Sequence, residues 1–283
     1  MNIAVIMTVH NRRDKTIRCL ESLGATLDSY SGTVNVSVFL TDDGCTDGTV
    51  EGIRSHRWPF PVNILPGDGN LFWNAGMINS WKAAMADGNW DGYLWLNDDV
   101  VVLPEFWKDL QCADDYCIET YGKRGIYVGS AKDEKTGILS YGGFIYTNKI
   151  TLKDKFMIPD GKSFQTCEAA HGNITYVSSE VVQSRGILCE KYFHGGADHD
   201  YTYLAHKAGV PILVLPHFSA YCENDHGRLT VPKPIADHWV HNRLLFAKRC
   251  FPWRYPLVLL SIFGERYFPN VQGRIITKAK SFG

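Results

Sequence analysis

Over residues 1–100, apolar blocks and helically spaced stretches take turns along the chain. "NIAVIMTV" (residues 2–9) is apolar and β-branched, and predicts a buried strand. "HNRRDKTIRCLESL" follows with Ile17, Leu20 and Leu23 at helical spacing. "VNVSVFLTDDG" predicts a second strand that ends in acids. "CTDGTVEGIRSH" then predicts a helix, with Thr46 or Asp47 as its N-cap. A short third strand, "VNILPGDGN", leads to the helix "AGMINSWKAAMADG", stopped by Gly88, and "DGYLWLNDD" is the fourth strand. This alternation predicts an α/β fold with a parallel sheet covered by helices. Beyond about residue 125 the order is mixed. "GIYVGSA", "ILSYGGFIYT" and "NITYVSSEVV" read as strands, some antiparallel; "GGADHDYTYLAHKAG" reads as a helix and "VPILVLP" as a strand. "IADHWVHNRLLFAKRCF" closes the pattern as an amphipathic helix.

In parallel sheets of this type, ligands bind outside the carboxyl ends of the strands. The predicted loops there are Thr8-Val9-His10-Asn11, Thr41-Asp42-Asp43-Gly44, Gly67-Asp68-Gly69-Asn70 and Asn97-Asp98-Asp99. Each one carries polar or acidic groups, a coincidence that solubility does not require. Asp98 and Asp99 pose the sharpest question, since two adjacent carboxylates between apolar runs repel each other. Turn chemistry is one answer. The other is a hard divalent cation, Mg²⁺ or Mn²⁺, which prefers oxygen ligands and shares its shell with a diphosphate. Alternating side-chain direction lets one carboxylate face the metal while its neighbour reaches a sugar hydroxyl.

The 283 residues suit one large α/β domain or two small ones. A formal net charge of −1 and the lack of a long basic run give no support for nucleic-acid binding. The first residues read as a strand and not as a signal peptide. The eight cysteines include no C-x-x-C pair and fit reduced thiols in a cytoplasmic protein; the sequon Asn173-Ile174-Thr175 then has no role. "YPLVLLSIF" falls far short of the roughly 20 residues that span a bilayer. From Trp239 onward, aromatics and leucines mix with basic residues. The segment suits either a packed helix with a solvated face or peripheral attachment to an anionic membrane.

"TVHNRRDKTIRCLESL", "VFLTDDGCTDGT", "GDGNLFWNAGMINSWKAA", "YLWLNDDVVV" and "GGADHDYTYLAHKAG" resemble the successive motifs of family 2 glycosyltransferases, in the family's order and spacing. The likeness covers residues 3 to about 230. It implies the GT-A fold: a Rossmann-like, mixed but mainly parallel central sheet flanked by helices. The catalytic domain would span residues 1–235, with a nucleotide-sugar half (1–100) and an acceptor half (101–235), followed by a C-terminal amphipathic helical extension (236–283). By the same likeness, Thr8, His10, Asn11 and Asn70 border the nucleotide, and Asp42 or Asp43 accepts from the N3–H of a uridine or thymidine base. Asn97 stands where many members carry Asp and would bind the ribose. Asp98 would contact the donor sugar and Asp99 the metal, Mn²⁺ or Mg²⁺. Trp73 and Asn74 border the donor or acceptor sugar, unless they belong to the core.

In "HGGADHDYTYLAHKAG", Ala197 replaces the family's first acid, Asp198 takes the place of its catalytic base, and Asp200 is the later acid. Helix N-capping is the alternative role for both aspartates. Gly196 would admit a sugar closely. A histidine after the next strand completes the metal shell in many members; His217 and His226 are the candidates, with His226 preferred. The expectation is an inverting, metal-dependent enzyme. It would move a sugar from a UDP- or dTDP-sugar to a saccharide or lipid-linked saccharide during bacterial surface polysaccharide synthesis, at the inner face of the cell membrane. "LFWNAGM" and "LNDDV" look most like the rhamnosyl- or galactofuranosyltransferase-like branch. Two alternatives are a sugar nucleotidyltransferase, for which "TVHNRRDK" lacks the glycine-rich phosphate loop, and a non-catalytic nucleotide-sugar-binding or scaffolding protein.

Overall fold

The computed structural model describes residues 1–223 and 233–267. The chain runs β1 (Asn2–Val9), α1 (Arg13–Ser29), β2 (Asn35–Asp42), α2 (Thr49–Ser55), β3 (Val62–Pro66), α3 (Phe72–Asp87) and β4 (Gly92–Leu96). It continues through β5 (Val101–Val102), α4 (Phe106–Tyr121), β6 (Ile126–Lys132), β7 (Leu139–Tyr141), β8 (Gly143–Asn148) and β9 (Lys153–Phe156). Then come β10 (Gln165–Thr166), β11 (Ala169–Ala170), β12 (Ile174–Ser178), α5 (Ser179–Arg185), α6 (Ala197–Lys207) and β13 (Ile212–Tyr221). Last are α7 (Lys233–Cys250), a 3₁₀ turn (Pro252–Arg254) and α8 (Tyr255–Tyr267).

The main sheet has the order β10-β13-β6-β12-β4-β1-β2-β3, with β5 and β7 attached to its edges. β1 to β4 are parallel, in a register that sets Val9 opposite Asp42 and Asp42 opposite Pro66. Their carboxyl ends therefore share one edge. β12 is antiparallel to both β4 and β6, while β13 runs parallel to β6. This is the mixed, mainly parallel sheet expected of the GT-A architecture. Helices cover both faces, so β1 and β4 are buried throughout and read as continuous apolar runs instead of alternating ones. Val5, Met7, Leu94 and Leu96 join the core beneath Leu20 and Leu23 of α1. On the opposite face Trp95 packs edge-on against Trp81 of α3 and Tyr201 of α6, with ring centroids 5.5 and 5.4 Å apart.

Three local expectations change. The stretch after Ser178 is helix α5 and not more strand, because the Ser178 hydroxyl caps it by accepting from the Val181 N–H. α2 begins later than expected, after Gly48 in the left-handed region (φ 80°). α4, to which no element was assigned, buries Phe106, Trp107, Leu110 and Ala113.

The chain divides into two compact units. The larger holds Met1–Ile145 and Phe156–Thr230, and the smaller holds Tyr146–Lys155 and Val231–Gly283. Within the smaller one, Ala247 and Val258 are fully buried among Leu152, Val240, Leu244 and Tyr255. Tyr146, Phe246 and Phe251 form an aromatic triangle there, with centroids 5.6 to 5.8 Å apart.

Candidate active site

The first two strand ends are tied together by their own polar groups. The His10 Nδ1–H donates to the Asp43 carbonyl (2.6 Å), which leaves Nε2 to accept from the Asn11 amide at 3.2 Å. Asn11 adopts φ 51°, a conformation Asn tolerates, and its Oδ1 accepts from the Thr46 N–H at 2.7 Å. Asp43 is buried. Its Oδ1 accepts from the N–H groups of Gly69 and Leu71, and its Oδ2 from that of Phe72. That carboxylate holds the loop entering α3. Asp42 spends only Oδ1, on the Cys45 N–H (2.8 Å), and stays half-buried. Thr8 lies under α3 where Gly76 leaves room for it, and Asn70 is exposed on the next loop.

At the end of β4, the Arg12 Nη1 lies 3.2 Å from Asp98 Oδ1 and 2.9 Å from Asp99 Oδ2. One guanidinium thus offsets the repulsion of the acid pair. The Asp98 side chain is 9% exposed and that of Asp99 13%. Burial pushes the Asp98 carboxyl up to about 7; Asp99 adds to this and Arg12 opposes it. Asn97 accepts from the Trp73 indole N–H at 2.8 Å, so it is fixed by α3 and not left as a free turn residue.

The Asp198 side chain, 14% exposed, stands at the start of α6. Its Oδ2 accepts from the Gly172 N–H and its Oδ1 from the His199 N–H, each at 2.9 Å. Burial alone would raise this carboxyl. The charges of His199 and His171 and the two N–H groups outweigh that and hold it below the usual carboxylate range. The two imidazoles meet edge to face at 4.7 Å inside a cage with Phe144 and Phe156. Gly172 joins the two halves of the site: a Cβ there would come within 2.7 Å of the Trp73 ring and 3.4 Å of Asp198 Cβ. Trp73 therefore links Asn97, through its indole N–H, to the backbone that holds Asp198.

Several candidates are committed elsewhere. Asp200 is 1% exposed and accepts from the Tyr192 hydroxyl at 2.9 Å. Asn74 is fully buried and donates to the carbonyls of Cys189 and Tyr192. These contacts make both residues braces for the loop that precedes α6. Gly196 is left-handed (φ 92°) at the N-cap, and Ala197 behind it is fully buried, where a carboxylate would be desolvated. His217 pairs with Asp109 at 3.0 Å, away from the acid pair, and His226 lies outside the described residues. Arg12, His171, Gly172 and His199 emerge from the structure alone. Of these only Arg12, two residues after His10 in a loop at the ligand edge, carried a sequence signal.

The acid pair suits a hard cation. Asp99 would be its protein ligand, with diphosphate and water oxygens filling the remaining positions, as is usual for Mg²⁺. Cys222 Sγ lies 3.6 Å from Asp99 Oδ1, but burial and that carboxylate keep its thiol protonated, so it makes a poor ligand. Among the described residues, no three His, Cys, Asp or Glu side chains converge as a complete metal cage.

No curated protein matches the sequence. A mannosyltransferase from Pyrobaculum calidifontis, solved with GDP-Man and Mn²⁺, shares the fold at TM-score 0.54 and 13% identity, over 99% of this chain and 79% of that one. TarS of S. aureus, residues 1–349 with UDP-GlcNAc, gives TM-score 0.59 and 14% identity, over 88% of this chain and 66% of that one. At these identities the likeness establishes the shared GT-A fold. Residues 4–137, which contain Arg12, Asp42, Trp73 and the acid pair, match the model of the family described as Glycosyl transferase family 2.

Proposed function

We propose that this chain is an inverting glycosyltransferase. It would move a sugar from a nucleoside diphosphate donor to a saccharide, lipid-linked at the inner face of a bacterial membrane, during surface polysaccharide assembly. The observation that carries this is the Trp73–Gly172 bridge, which fixes an acidic, cation-ready strand end and a buried carboxylate in one frame. A binding protein needs the first; only a transferase needs the second.

In this reading Asp42, with one carboxylate oxygen uncommitted, accepts from the N3–H of the base, while Asp43 shapes the loop beneath it. Thr8, His10, Asn11 and Asn70 line the nucleotide edge. Asn97 reaches the ribose, Asp98 the donor sugar, and Asp99 holds Mg²⁺ or Mn²⁺. When bound, that ion supplies charge neutralisation for the departing diphosphate. Asp198 is ionised at neutral pH. It takes the proton of the acceptor hydroxyl as the oxygen forms its bond to the anomeric carbon; the bond to the diphosphate breaks on the opposite face, which inverts the centre. Gly196 leaves room for the acceptor. The Asn97-Asp98-Asp99 and Trp73 features favour the rhamnosyl- or galactofuranosyl-transferring branch.

Replacing Asp198 by Asn tests the assignment. Turnover should fall by about 10² to 10⁴, the usual contribution of a general base, while donor affinity measured by calorimetry stays within roughly twofold of the parent. Unchanged turnover would sink the base assignment, and lost donor binding would mean that Asp198 serves the structure instead.

A further inference from the structure

We propose that the corner between α7 and α8 is a docking surface for an anionic lipid bilayer, on which it lies without crossing. The smaller unit buries one side of this corner thoroughly. Phe251 is 6% exposed within the aromatic triangle, and Val258 is fully covered. The opposite side is apolar as well. Trp253 is 95% exposed, Leu260 66% and Leu257 48%, and Pro256 between them is also exposed. Residues 253, 256, 257 and 260 recur at the one-, two-turn spacing of a single helical stripe. A soluble helix keeps such a stripe for its core; here the core is served by Val258, and the stripe is left over.

The charge around the stripe says what covers it. Exposed Lys248 and Arg249 end α7, and exposed Arg254 sits between Trp253 and α8. Arg243 lies over the half-exposed Trp239 ring, 4.9 Å from its centroid. From His238 to Gly264 the sequence contains no Asp or Glu, against Arg243, Lys248, Arg249 and Arg254. A second copy of this chain docking face to face would set these cations against themselves, since a two-fold interface repeats the same patch. Anionic headgroups would instead neutralise them, while Trp253, Leu257 and Leu260 enter the headgroup–acyl boundary, the place an indole prefers. No helix among the described residues is long and apolar enough to cross a membrane.

The surface extends the proposed function, since it would bring the enzyme to lipid-linked acceptors, but it is read from the smaller unit alone. The test is co-sedimentation of the full chain with sucrose-loaded vesicles, of phosphatidylcholine alone or with phosphatidylglycerol added. The parent should pellet only with the anionic vesicles, and less so at high salt. Each neutralisation among Lys248→Gln, Arg249→Gln and Arg254→Gln should weaken partitioning roughly fivefold. Trp253→Ser with Leu260→Ser should weaken it roughly tenfold or more. The charge variants alter exposed side chains only and keep the test decisive if the apolar pair misfolds. Three results would overturn the surface: no anionic binding, binding equal in parent and variants, or a dimer of the parent that the Trp253→Ser variant dissolves. Donor turnover on a water-soluble acceptor is measured in the same variants. Retained turnover with lost pelleting supports a separate docking surface, whereas a parent that pellets but never turns over donor counts against the proposed function only.

Discussion

The carboxylates of this site differ because their surroundings differ. Asp98 is crowded by Asp99 and by apolar strand, and is pushed up; Asp198 faces two imidazoles and two N–H groups, and is held down. In the proposed mechanism the depressed group is the base, so its environment should be visible in kinetics. Removing the His199 imidazole takes away a charge that lowers Asp198. His199→Gln should therefore move the acid limb of the kcat/KM profile to higher pH, with donor affinity unchanged; a limb that stays in place would separate Asp198 from the chemistry. The sign for stability follows from the same shift. A depressed carboxylate stabilises the fold above its ordinary value of about 3.9, and that contribution fades as pH falls through the lower folded value. Much of this residue chemistry could not be read in sequence. "NDD" and "ADHD" announce acids, but nothing local says that His171, far along the chain, will stand over His199, or that Arg12 will bridge Asp98 and Asp99. Asn74 and Asp200 illustrate the converse: polar residues in motif positions, whose burial against Tyr192 emerged only with the fold.

The elements were more legible than the contacts between them. β1 to β4 and the helices between them follow from apolar blocks and helical spacing, because a sheet covered on both faces demands continuous apolar strands. α4 escaped because its charged face, with Lys108, Asp109, Asp114 and Asp115, masks a seven-residue buried stripe. The tail of "NITYVSSEVV" misled because Val181 and Val182 are β-branched, yet a serine cap turned them into helix. At this scale the decisive contact is α3 against the β11–β12 connection, where Gly172 lets the Trp73 ring lie close. Gly172→Ala would drive a methyl to within 2.7 Å of that ring. The expected outcome is a stability loss of about 1 to 3 kcal/mol from overpacking and a kcat lower by roughly 10², since small misplacements of reacting groups cost that much. The same change in a Trp73→Phe background should cost markedly less, because the indole's outer carbons are gone. Additive effects in that double-mutant cycle would show that Trp73 and Gly172 do not act together.

At the scale of the whole chain, function divides between the two units. The larger carries every group placed at the donor edge and the base; the smaller carries the exposed apolar corner and its cations. Binding to the larger unit alone stabilises it by mass action, about 2.7 kcal/mol at a ligand concentration a hundredfold above Kd. For a unit of this size each kcal/mol raises Tm by roughly 2 to 4 °C. UDP or dTDP with Mn²⁺ should therefore raise Tm by about 5 to 10 °C, and GDP by less, because guanine offers Asp42 a different edge. Omitting Mn²⁺, or replacing Asp99 by Asn, should remove most of the shift by leaving the diphosphate charge unbalanced beside Asp98. Asp42→Ala should instead preserve the Mn²⁺ dependence and level the nucleotides. The two variants thus separate metal-assisted diphosphate binding from base recognition. If the Asp99→Asn protein responds to Mn²⁺ as the parent does, the strand end that terminates β4 is not the cation site, and its acids serve Arg12 alone.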